Sequence, residues 1–152
     1  VGKIKWLLVI AATAAGCGSY ERGLPSRYEF QVEGDDDAQA AFAGALAEWR
    51  ACGVVEGEMV VGSTGAFVVP VRPVVSFPDA GVAGWTGLSE MLPDIIQYRR
   101  DDGRLREVFA HELGHAFTGT SEHLDTGLMA PVLASETQHV GPAECAMLRW
   151  HR

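Results

Sequence analysis

"HELGHAFTGTSEHLDTGLMAP", residues His111 to Pro131, contains three of the chain's five histidines, a glutamate beside the first and a methionine near the end. His111 and His115 are four residues apart, and on a helix that spacing brings both imidazoles out on one face, a turn apart. Two ring nitrogens so placed can reach one tetrahedral ion at about 2.0–2.1 Å. Glu112 follows the first histidine directly and can approach a water as general base without being a ligand itself. Gly119 stands where this helix would end, letting the chain turn back, and His123 comes next within reach as a third ligand.

Downstream, Leu128-Met129-Ala130-Pro131 resembles the methionine turn that floors the metal site of metzincin metallopeptidases, in the form seen in matrixin-like members. The order of the remaining segments is similar too. A first strand, a helix ending in "AEWRACG" (47–53) and several strands precede the histidine helix, and "GPAECAMLRW" (141–150) looks like the family's last helix. The resemblance covers most of the chain beyond its N-terminal segment, although only residues 111 to 131 carry specific motifs. It implies a zinc-dependent endopeptidase with one catalytic Zn2+ on His111, His115 and His123. Glu112 would be the general base and then the proton donor to the leaving amine, with Met129 packed beneath. It also implies a peptide or protein substrate lying as a strand above the histidine helix and pairing with an edge strand. "GVAGWTGLS", Gly81 to Ser89, is the candidate for that edge.

The motif departs from the family in one respect. The usual pattern is H-E-x-x-H-x-x-G-x-x-H, with the third ligand six residues after the second. Here Gly119 is four residues after His115 and His123 is eight after it, while Met129 keeps the fourteen-residue separation of matrixin-like sequences. An ungapped alignment would put Ser121 at the ligand position, and a neutral hydroxyl is a poor zinc ligand. Zinc's preference for imidazole favours His123, with Asp125 and Glu122 as carboxylate competitors. Glu144 is the remaining option, a downstream-helix glutamate of the kind that completes gluzincin sites, although capping after Pro142 also explains it.

Working outward, Tyr28 to Val32 alternates and predicts a strand. Asp35, Asp36 and Asp37 then suit a helix N-terminus better than a calcium loop, whose glycine and closing glutamate are missing. Phe42, Ala45, Leu46 and Trp49 follow at helical spacing, with Gly53 as the stop. Glu58 to Val61 and Ala66 to Val75 read as strands. Pro70 and Pro73 predict that the second is an edge or irregular, since proline cannot donate to a ladder. Gly84 to Ser89 and Asp94 to Arg99 predict two more strands, and Leu105 begins the histidine helix. Pro142 opens a terminal helix. The expected fold is α+β: a small twisted mixed sheet with a backing helix, the histidine helix and a C-terminal helix, metzincin-like in order. Tyr98 and Trp85 could line a cleft or belong to the core; His139 reads as a surface or capping residue and His151 as uninvolved.

Lys3 and Lys5 followed by the apolar run Trp6 to Ala15 read as a signal peptide, too short to span a bilayer. Ala14-Ala15-Gly16-Cys17 resembles a bacterial lipobox, with alanine where leucine is usual, which makes Cys17 the candidate lipidation site. The expected organisation is a lipoprotein signal at 1–17, a tether at 18–27 and a metallopeptidase domain at 28–152. The implied location is the bacterial cell envelope, on its periplasmic or extracellular face, with membrane contact through the lipid alone. Export also permits a disulfide between Cys52 and Cys145, against the alternative of two buried thiols. Beyond the two lysines, ten arginines face twenty carboxylates, which argues against nucleic acid as a partner. A monomer is expected. Two other functions compete: an inactive lipoprotein that binds a partner or metal, and a zinc hydrolase of non-peptide amides or esters.

Overall fold

The computed structural model describes residues 28–54, 58–60, 67–89 and 92–150. Residues 1–27, with Cys17 and the expected signal and tether, and His151 lie outside them. Strand β1 (Tyr28–Val32) leads into helix α1 (Asp36–Ala51) through Asp35, whose side chain accepts a hydrogen bond from the Ala38 N–H at 3.0 Å. Asp36 and Asp37 occupy the first turn, where the helix dipole favours negative charge. Gly53 takes the chain out of the helix at φ +90°, a conformation costly for any residue with a Cβ.

Four further strands, β2 (Glu58–Val60), β3 (Phe67–Val74), β4 (Gly84–Ser89) and β5 (Leu92–Arg99), join β1 in one mixed sheet of order β2-β1-β3-β5-β4. β4 runs antiparallel to β5, and the other pairings are parallel. β3 is therefore central, which corrects the edge placement that its prolines predict. The reason is an offset between its two ladders. β1 pairs with Phe67 to Val71, whereas β5 pairs with Val71 to Val74. Residues of a parallel strand turn alternately to one neighbour and the other. The Val71 carbonyl faces β1, accepting from Glu33 N–H at 2.8 Å, and the Val74 carbonyl faces β5, accepting from Arg100 N–H at 3.4 Å. By that alternation Pro70 turns toward β5 before its ladder begins, and Pro73 toward β1 after its ladder has ended. Neither proline therefore turns its nitrogen toward the strand it is paired with, Gln31 of β1 for Pro70 and Tyr98 of β5 for Pro73.

Helix α2 (Leu105–Thr118) is buried from Glu107 to Thr118, while helix α3 (Pro142–Trp150) closes the described chain. Phe42 and Trp49 of α1 meet Phe109 and Phe117 of α2 edge-on, at ring-centroid distances of 5.3 and 6.1 Å, geometry that aromatic quadrupoles favour. The buried Trp49 indole donates to the Ala110 carbonyl at 2.7 Å. Tyr98 belongs to this core, its hydroxyl donating to the Glu33 carbonyl at 2.7 Å. Cys52 and Cys145 are disulfide-bonded with Cα atoms 5.3 Å apart, joining the end of α1 to α3 across 93 residues of sequence.

Between α2 and α3 the chain has neither helix nor strand, yet it is tied down. Arg104 donates to the carbonyls of Ala134 and Glu136, and Arg106 donates to the Gln138 carbonyl at 2.8 Å and pairs with Glu48. Glu48 also accepts from the Val140 N–H at 2.9 Å and contacts His139. Hydrogen bonds from the Val140 N–H and His139, with the Arg106 charge, hold its carboxyl below the usual range against the opposing effect of burial. His139 is the exposed surface residue that sequence predicts, with its Nδ1 3.1 Å from the Glu48 carboxylate.

Candidate metal centre

His111 and His115 face one point from α2. The Nδ1 of His111 lies 2.7 Å from the Leu128 carbonyl oxygen, and that of His115 lies 2.8 Å from the Thr120 carbonyl oxygen. A carbonyl only accepts, so both Nδ1 atoms carry the proton and both Nε2 atoms present lone pairs. Those two Nε2 atoms stand 3.1 Å apart. Burial lowers the pKa of both rings, that of His115 to about 4 with help from neighbouring His111, so neither is cationic at neutral pH. Two lone pairs aimed at each other in a buried site repel, and a cation between them removes the conflict.

His123 approaches from the loop, exposed, with its ring centroid 5.2 Å from His111 and 4.8 Å from His115. The ligand atoms of all three histidines lie within 4.8 Å of one another, so the group could hold a metal ion. Two imidazole nitrogens on a tetrahedral ion at 2.0–2.1 Å stand about 3.3–3.4 Å apart, close to the observed 3.1 Å. Among the described residues no other histidine, cysteine, aspartate or glutamate joins this group. Asp125 and Glu122 are exposed outside it.

Glu144 is occupied elsewhere. Its buried carboxylate accepts from the Leu128 N–H at 2.9 Å through one oxygen and from the Gly141 N–H at 3.0 Å through the other. The second bond caps α3, as sequence suggests. The first ties α3 to the turn whose carbonyl orients His111, a link absent from the sequence reading. Gly127 sits in that turn at φ +86°, and a Cβ there would come 2.6 Å from the Glu144 carboxylate. Met129 is fully buried under α2, against Gly114: a Cβ on Gly114 would lie 2.7 Å from the Met129 methyl and 2.9 Å from Trp49. A glycine inside a helix lowers helix propensity, which is the one signal that could have pointed to this contact.

Glu112 is buried beside the first histidine. Desolvation pushes its pKa up to about 7, opposed by a hydrogen bond with Thr86, whose Oγ1 lies 2.6 Å from Oε2. Gly84 on the same strand makes room, since a Cβ there would be 2.7 Å from Glu112 Oε1 and 2.7 Å from Val108. Sequence reading missed both β4 residues; Gly84 inside a strand pattern was the available sign of a close approach.

A cleft of about 450 Å³ runs along β4 past the three histidines and Glu112, a volume typical of small-molecule or peptide sites. Trp85 of β4, half exposed, and Val132, three residues after Met129, are large apolar groups on its lining. Ser121 lines it as well. Among the described residues, β4 has a strand partner on one side only. The arrangement can hold a metal ion with a titratable carboxylate next to it and an open face toward a ligand. No protein-family model matches the chain, and no curated protein matches it.

Proposed function

We propose that this protein is a zinc-dependent endopeptidase of the metzincin type. The observation that carries the reading is the pair of buried Nε2 atoms of His111 and His115 3.1 Å apart, with His123 facing them and Glu112 alongside. Three imidazole donors suit zinc better than the hard, oxygen-seeking cations, and three protein donors leave a fourth position open. A bound zinc ion would polarise a substrate carbonyl and bring a water's pKa toward about 7. Glu112 is the base for that water and afterwards returns the proton to the leaving amine. A buried carboxylate beside the first histidine, with one oxygen free of protein partners among the described residues, is placed to do both. The unpaired side of β4 offers backbone groups to an extended peptide, and Trp85 and Val132 offer apolar contact to its side chains. Lipid attachment at Cys17 and a place on the cell envelope rest on the N-terminal sequence.

The test is metal content together with cleavage of a quenched peptide library, for the parent and for Glu112→Gln. One zinc per chain, with cleavage by the parent and a loss of at least about 100-fold in the variant, supports the peptidase. Zinc without any hydrolysis would turn the reading toward a metal- or partner-binding lipoprotein. Turnover confined to small amides or esters would turn it toward a non-peptide hydrolase. No zinc under metal-replete conditions would overturn the three-histidine site.

A further inference from the structure

The two oxygens of Glu112 have different surroundings. Oε2 is held by the Thr86 hydroxyl at 2.6 Å. Oε1 has no hydrogen-bond partner among the described residues and rests beside Gly84, in the space a Cβ would fill. Gly84 and Thr86 are two apart on β4 and so share a face of the strand, the one turned to α2. One admits the carboxylate and the other grips it. The Thr86 hydroxyl has a second acceptor within reach, the Glu112 backbone carbonyl at 3.1 Å, but only one proton to give. Its β-branched side chain is stiff at χ1, which fixes where that proton points.

We infer that Thr86 is a positioning residue for Glu112: by occupying Oε2 it fixes the plane of the carboxylate and leaves Oε1 as the oxygen that carries the proton. The inference rests on the hydrolytic reading of the same site. In the first step an O–H bond of water breaks, its proton goes to Oε1, its electron pair forms the bond to the carbonyl carbon, and the C=O π pair moves onto the carbonyl oxygen. In the second, the proton leaves Oε1 for the lone pair of the departing nitrogen, the oxygen's pair re-forms C=O, and the C–N pair leaves with the nitrogen. Thr86 gains and loses no proton in either step; its hydrogen stays on Oγ1 and is donated to Oε2 throughout. Serine keeps this bond without the methyl group, and valine keeps the shape without the bond.

Thr86→Val, Thr86→Ala and Thr86→Ser in the full chain test it. Valine and alanine are expected to lower kcat about 10–100-fold, with KM and zinc content unchanged, while serine restores most of kcat. Crystal structures of the zinc-loaded variants should show the Glu112 carboxylate turned out of its parental plane with valine and alanine, and held in it with serine. Parental kcat in both valine and alanine variants, an unmoved carboxylate in both, or a kcat loss that tracks lost zinc would overturn the assignment. If the parent cleaves nothing, the peptidase reading has failed, and the carboxylate's plane in these structures decides the Thr86 contact by itself.

Discussion

Glu112 and His115 pull the stability of the metal-free protein in opposite directions as pH changes. Glu112 has its pKa raised from 4.5 to about 7, so over that interval the folded chain keeps a proton the unfolded chain releases, and stability falls as pH rises. His115 has its pKa lowered from 6.5 to about 4, so over that interval the unfolded chain binds a proton the folded chain refuses, and stability rises with pH. Glu112→Gln removes the first effect. The metal-free variant should exceed the parent by about 1–3 kcal/mol at pH 7.5 and gain stability more steeply between pH 4 and 6.5, as urea unfolding across that range would show. Equal stability at pH 7.5 would mean that the burial of Glu112 costs the fold nothing. On the proposed zinc site, His123→Ala should weaken zinc binding by more than the roughly 10–100-fold typical of outer residues, and Asp125→Ala should leave it intact; competition with a zinc chelator measures both. The placing of His111 and His115 could be read from sequence because it depends on helical period alone. Thr86 could not, since its bond to Glu112 joins a strand edge to a helix 26 residues away.

At the scale of the element, α2 owes its position to a residue that weakens it as an isolated helix. Gly114→Ala improves helix propensity by about 1 kcal/mol, yet its Cβ would collide with Met129 and Trp49, so a net loss of about 1–3 kcal/mol is expected. Gly103→Ala, where a Cβ meets nothing within 4 Å, should change stability by less than about 0.5 kcal/mol. Paired denaturation curves compare the two. Element existence was legible where a local cause sufficed: Asp35 starts α1, Gly53 and Gly119 end α1 and α2, and Pro142 opens α3. The place of β3 in the sheet was not, because a proline reports only that an N–H is missing. Whether a neighbour needs that N–H depends on where the adjacent ladders start and stop.

Across the whole molecule, the disulfide and the sheet fix parts that sequence leaves far apart. Cys52→Ser with Cys145→Ser frees a 93-residue closure and should cost about 2–5 kcal/mol in urea unfolding, with the sheet's far-ultraviolet signal retained below the transition. Strand order lay beyond the sequence, since parallel pairing across long connections leaves no local pattern. The offset ladders of β3 carry one more consequence, for register. A sheet strand that slips must move by an even number of residues to keep its faces, here a shift of about 7 Å for two. Sliding β1 two residues forward would ask Pro73 for an N–H, and sliding β5 two residues back would ask Pro70 for one. The prolines therefore bar the nearest wrong alignments on both sides. Because β4 travels with β5, they also keep Thr86 from being carried a shift of that length away from Glu112.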